Sequence, residues 1–273
     1  MRIRIVDAFT DRPFTGNPAA VVLLDSGPFP GDDRLQRLAA EVNLSETAYA
    51  RPLPEDSEAD WALRWFTPAT EVNLCGHATI ATAHVLHSTG AATGTVRFAT
   101  RSGILTATTA ADGSVTLDLP TAPLTEVEVD DEVRAALGAD VLSAHDTGPN
   151  VGDLLVELAD EKTVRTLSPD LSAVARLDHQ GVIVTAPAAE EGAPYDYVSR
   201  FFGPAVGIDE DPVTGSSHTA LAPLWSARFG RDELTGLQVS ARTGVVRTAL
   251  RGDRTLLTGS AVTVIDGDLI AGL

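Results

Sequence analysis

Apolar and polar residues alternate, or β-branched residues cluster, in many short runs along this chain. They fall at residues 3–9, 19–24, 48–50, 61–66, 95–99, 104–109 and 114–119, and again at 154–158, 181–186, 195–202, 237–241, 245–250, 255–257 and 262–265. A period of two sustained over about four to eight residues is the signal of a strand with one face buried. Turn formers separate the runs, notably Asp112-Gly113, Arg251-Gly252-Asp253 and Asp266-Gly267. Helical spacing is rarer. Leu35, Leu38, Ala39 and Val42 stand at i, i+3, i+4 and i+7 behind Asp32 or Asp33 as a cap, which predicts an amphipathic helix. Further helices are expected at 77–87, 131–137, 169–176 and 216–229.

One local pattern occurs twice. Residues 64–84 and 200–222 both begin Arg-aromatic-Phe-x-Pro-Ala and pass through an acidic stretch to a glycine, Gly76 or Gly215. Each glycine opens a run of small, apolar residues with no polar stripe, and a helix of that kind is surrounded by protein. Pro223 inside the second run is expected to kink that helix or delimit its first turns. With strands abundant around both, the pattern predicts an α+β fold of two pseudo-symmetric halves, each a curled, mainly antiparallel sheet around a central helix. The acidic stretch at 124–131 is the expected boundary. The halves would be 1–124 plus about 258–273, closing the first sheet from a distance, and 125–257.

Composition narrows the function classes. The formal net charge is −18, and Lys162 is the only lysine among 20 basic residues. This argues against nucleic acid and anionic membrane as partners, since both are bound through basic patches, and neither is expected. No apolar stretch approaches the roughly 20 residues of a membrane helix, and the N-terminus reads as a strand rather than a leader, so a cytoplasmic protein is expected. The single cysteine, Cys75, excludes an internal disulfide.

Candidate chemistry collects in four places: Gly16-Asn17-Pro18, Asn43-Leu44-Ser45-Glu46-Thr47, Cys75-Gly76-His77, and the stretch from Glu210 to His218. Glu46 lies between a helix exit and an apolar strand, the setting of a general base or of a capping carboxylate. His77 at a helix N-terminus is expected to be neutral, because the positive dipole end disfavours imidazolium; it reads as a proton-transfer partner or a buried cap. Asp211 reads as an acid or a turn residue. Thr214, Gly215 and Ser216 form an anion nest suited to a substrate carboxylate, or an ordinary N-cap. No Gly-x-Ser-x-Gly, dinucleotide or P-loop pattern is present. His84 and His87 lack partners for a metal set, and Lys162 has no setting for a Schiff base. Cofactor-free and metal-free proton transfer on a small carboxylate remains.

These motifs resemble the phenazine-biosynthesis PhzF-like isomerases, whose fold is related to diaminopimelate epimerase and proline racemase. The resemblance rests on Asp7-Ala8-Phe9-Thr10, Gly16 through Val21, Asn43 through Thr47, Phe66-Thr67-Pro68, Glu71, Cys75 through Thr79, and Phe202 through Ser216. It implies an active site between two similar halves, usually in a homodimer. Glu46 would shuttle the proton, with Ser45, His77, Asp211 and Ser216 around it and Gly76 helping through its backbone. The implied substrate resembles trans-2,3-dihydro-3-hydroxyanthranilate, with no cofactor. Two features depart from the pattern of the phenazine-biosynthesis isomerases. Cys75 stands where diaminopimelate epimerases carry a catalytic cysteine, while Ser216-Ser217 replaces the second thiol. The segment from Gln238 to Gly244 also differs. An amino-acid epimerase using Cys75 or Glu46, and a non-catalytic ligand-binding or interaction module, are the alternative readings.

Overall fold

The alternating runs form strands in the computed structural model, which describes residues 1–272. The chain divides into two units, Met1–Asp118 with the C-terminal segment from Thr258, and Leu119–Leu257.

In the first unit, β1 (Arg2–Ala8) pairs antiparallel with β2 (Asn17–Leu23). Helix α1 (Asp32–Val42) leads to β3 (Glu46–Pro52), parallel to β2. Strand β4 (Trp61–Phe66) lies antiparallel to β3 and to the short β5 (Glu71–Val72). After α2 (Gly76–Ser88), β6 (Thr95–Thr100) runs parallel to β4 and begins a meander with β7 (Gly103–Thr109) and β8 (Val115–Pro120). Helix α2 buries His77 through Ala83, Val85 and Leu86 and packs on β1, β2, β3 and β7. Its threonines survive there because their hydroxyls bond carbonyls one turn back: Thr79 to Cys75 at 2.6 Å and Thr82 to Ala78 at 2.7 Å.

The second unit repeats this succession. It holds β9 (Thr125–Val127), α3 (Asp131–Leu137), β10 (Val141–Asp146), β11 (Leu154–Leu158), α4 (Glu161–Thr166), α5 (Leu171–Val174) and β12 (Val182–Pro187). It continues with β13 (Tyr197–Gly203), β14 (Ile208–Asp211), α6 (Gly215–Phe229), β15 (Glu233–Gln238), β16 (Gly244–Arg251) and β17 (Arg254–Gly259). Pairing along β10 to β16 is antiparallel, parallel, antiparallel, antiparallel, then parallel from β13 to β15, then antiparallel. Strands β1 to β7 follow the same rule. Strand β9 flanks β10, and the last strand, β18 (Ala261–Asp268), flanks β1. Leu221, Leu224 and Trp225 of α6 pack on Leu155, Ile183, Tyr197 and Phe201. Tyr197 and Trp225 stack with centroids 5.7 Å apart, and a Cβ at Gly236 would meet the Tyr197 ring at 2.6 Å.

The duplicated Arg-aromatic-Phe motif has a structural reason. Arg64 grips Glu71 through Nε at 2.7 Å and Nη2 at 2.6 Å, while Arg200 grips Glu210 at 2.7 and 2.9 Å. Each guanidinium also lies over the phenylalanine two residues on, 5.1 Å from Phe66 and 4.7 Å from Phe202. A planar, two-pronged cation thus ties the strand to the hairpin arm that leads to the central helix.

Some expectations change. Gly31, not Asp32 or Asp33, caps α1; the two aspartates sit in its first turn and act on the helix dipole. Helix α6 continues through Pro223, so the proline does not delimit it. The proline removes the donor that would serve the Thr219 carbonyl, and the Ala122 N–H takes its place at 3.2 Å. Strands β10 and β14 and helix α4 appear where none was expected. The run at 237–241 ends as strand at Gln238, because Ser240 Oγ accepts from Thr243 N in a turn. Among the described residues, no helix is long and apolar enough to cross a membrane.

Candidate active site

Asn17 and Glu46 begin neighbouring parallel strands, in a register that sets Ala19 opposite Glu46. The chain enters β2 through Gly16 at φ +68°, where a Cβ would lie 2.2 Å from the Ala8 carbonyl oxygen, so the turn admits only glycine. Packing of α2 on β2 and β3 brings its first turn to the same place. There Glu46 Oε2 lies 3.0 Å from His77 Nε2, with Glu46 8% and His77 5% exposed. The approach is off-axis, so neither atom completes a hydrogen bond in this conformation; catalytic contacts of a ligand-free site commonly tighten on binding. On the other side of the ring, His77 Nδ1 lies 3.2 Å from Asn17 Nδ2 and 3.5 Å from Cys75 Sγ. Ser45 Oγ donates to Asn17 Oδ1 at 3.1 Å.

Electrostatics couples these groups. Burial, followed by the charge of Glu46, pushes the Cys75 thiol up to about 11, so it is a neutral thiol near pH 7. For His77, burial opposes the charged ring, but Cys75 and Glu46 outweigh it and raise the imidazolium well above its ordinary range. Against the neutral His77 expected from the helix dipole, a carboxylate at 3.0 Å favours the charged ring.

In the second unit, Asp211 ends β14 and Thr214 caps α6. Thr214 Oγ1 donates to Asp211 Oδ2 at 2.5 Å. The buried Gln238 side chain accepts from Thr214 N at 2.8 Å and donates to the Asp211 carbonyl at 2.8 Å and to Thr214 Oγ1 at 3.1 Å. Thr214 N–H is thus already taken by protein, which removes one donor from the expected nest. Gly215 is buried and Ser216 half-buried in the first turn of α6. One turn on, His218 Nδ1 donates to the Thr214 carbonyl at 2.9 Å, and burial pushes this ring down to about 4.

The structure thus gathers Ser45, Glu46, Gly76 and His77 in one unit, and Asp211, Thr214, Gly215 and Ser216 in the other. Reasoning from sequence left Asn17 without a role and missed Gln238 as a support. The signal for Asn17 was its place between a glycine and a proline; Gln238 carries no local signal, since its partners lie 24 and 27 residues away. Donor atoms of Glu46, Cys75 and His77 lie within 4.8 Å of one another, a spacing compatible with a metal ion. The two nitrogens of His77 face different partners, however. Its Nε2 approaches Glu46 and its Nδ1 approaches Cys75.

A curled sheet around a buried helix, built twice, is the fold of small-molecule epimerases. A hydroxyproline epimerase of Agrobacterium vitis superposes with TM-score 0.63 at 14% identity, covering 98% of this chain and 91% of that one, a likeness of fold alone. Residues 6–267 match the family model of phenazine biosynthesis-like proteins. An uncharacterized isomerase of Pseudomonas aeruginosa is 45% identical over 268 residues, 97% of this chain and 96% of that one. The crystal structure of a PhzF-family phenazine biosynthesis protein of Enterococcus faecalis superposes with TM-score 0.89 at 38% identity, covering 99% of both chains. The chain belongs to the PhzC-PhzF family of phenazine biosynthesis-like proteins and is an isomerase.

Proposed function

We propose that this isomerase moves a proton on a small cyclic or unsaturated carboxylate, with Glu46 as the acid/base, and that it does so without cofactor or metal. The observation that carries this reading is the buried Glu46 carboxylate 3.0 Å from the ring of His77. In the proposed step the carboxylate takes a proton from a carbon beside a π system. The electron pair passes into that system, and Glu46 returns the proton to a carbon further along it. His77 fixes the carboxylate and balances its charge, as a hydrogen-bonded surround should where charge develops. Asp211, buttressed by Thr214 and Gln238, is the second ionisable candidate. Ser45 and Gly76 are proposed to bind substrate beside Glu46; in the other unit Gly215 and Ser216 are proposed as carboxylate donors, whereas Thr214 serves Asp211 instead.

The epimerase reading with Cys75 as base is weaker, since a thiol pushed up to about 11 is rarely ionised at neutral pH. Trans-2,3-dihydro-3-hydroxyanthranilate and a panel of small unsaturated carboxylates, incubated in deuterium oxide, test the proposal by absorbance and mass. Wild-type chain should incorporate solvent deuterium, and Glu46→Gln should slow incorporation at least about a hundredfold. Equal rates in the two proteins would overturn the role of Glu46.

A further inference from the structure

We propose that Asn17 is a positioning residue that sets the tautomer of His77: when the ring is neutral, its proton is held on Nε2, the nitrogen nearer Glu46. The inference rests on the reading of Glu46 and His77 as the site, and reaches to how the ring is set. An amide NH2 only donates and an amide oxygen only accepts. Ser45 Oγ donates to Asn17 Oδ1 at 3.1 Å, and Asn17 Nδ2 faces His77 Nδ1, 3.2 Å away. A donor aimed at Nδ1 requires a bare lone pair there, and the ring proton then belongs on Nε2, 3.0 Å from Glu46 Oε2. The partner of one imidazole nitrogen sets the state of the other.

The clamp is built into the fold. Asn17 is fully buried at the first position of β2, behind a turn that only Gly16 can make, so the amide has little freedom. The ionisable groups facing the ring are Glu46 from β3 and Cys75 from the turn before α2. Asn17 opposes both. Glu46 favours a second proton on the ring, and the Asn17 NH2 stands where that proton would have to point.

Imidazole nitrogen spectra of the 15N-labelled full chain test this without requiring turnover, with His77 assigned by its absence in His77→Asn. Above the titration of His77, the wild-type ring should carry its proton on Nε2 and leave Nδ1 bare. Asn17→Asp replaces the donor with an acceptor. It should protonate both nitrogens and move the His77 midpoint up by about one to three pH units. Ser45→Ala, which frees the amide without touching the ring, should shift the tautomer ratio toward Nδ1–H by about threefold or more, equivalent to about 0.65 kcal/mol or more. A wild-type proton on Nδ1, or His77 signals unchanged in both Asn17→Asp and Ser45→Ala, would overturn the proposal. Failure of Glu46→Gln to alter deuterium incorporation bears on the acid/base reading alone, because these spectra need no substrate.

Discussion

Cys75 shows how much a residue's setting adds to its identity. By position it stands where a thiol base would be placed, 3.5 Å from an imidazole nitrogen. Yet burial and the Glu46 charge push it up to about 11, which leaves about one thiolate in ten thousand at pH 7. We predict that Cys75→Ala and Cys75→Ser retain deuterium incorporation within about threefold, and that iodoacetamide labels the native chain far more slowly than the urea-unfolded one, read by mass. Loss of exchange in both variants would restore the epimerase reading. The same contrast runs through the site. Glu46, His77 and Asp211 could be picked out because charged residues beside apolar runs are conspicuous. Asn17 and Gln238 could not be given roles, since a buried amide declares itself only through partners that folding brings to it.

Periodicity marked the strands well where one face is apolar, as in β6 and β8, and the two central helices stood out by lacking a polar face. It failed at β14, whose sequence Ile-Asp-Glu-Asp has one apolar residue and reads as an acidic loop. Its charges have tertiary work instead: Glu210 clamps Arg200, and Asp211 holds Thr214. The repeated pattern was visible, but the reason for its arginines was not. The two clamps also differ in a testable way. Glu71 takes a second cation, Arg101 at 2.6 Å, and its side chain is 9% exposed against 25% for Glu210. Removing a carboxylate shared by two cations takes the ion pair from Arg101 and leaves Arg64 with Asp32 alone, and burial raises the penalty. We predict that Glu71→Gln lowers unfolding stability by about 2–4 kcal/mol and Glu210→Gln by about 1–2 kcal/mol, measured by urea midpoints. The reverse order would show that the second clamp carries more.

For the molecule as a whole, two buried groups of the second unit set opposing responses of stability to pH. His218, pushed down to about 4 by burial, binds a proton more readily when unfolded; its contribution is lost as pH falls from about 6.5 toward 4. Asp153, pushed up to about 7 by burial against one bond from the Gly181 N–H, binds its proton more tightly when folded. Its contribution is full below the ordinary value of 3.8 and is lost as pH rises to about 7. Between pH 4 and 6.5 the two slopes run against each other, so acid and base unfolding should be separated by a broad plateau. Asp153 sits behind a lock in which Thr147 Oγ1 donates to the Asp153 carbonyl at 2.8 Å and accepts its N–H at 2.9 Å, so the carboxylate cannot readily swing out to water. Asp153→Asn keeps an acceptor for Gly181 and removes the ionisation. We predict that it stabilises the chain at pH 8 and that its advantage over wild type shrinks by about 2–3 kcal/mol on going to pH 5. Urea unfolding at the two pH values measures this. An advantage that stayed constant with pH would mean that Asp153 ionises in the folded chain as it does in the unfolded one, and that the loop opens to let it.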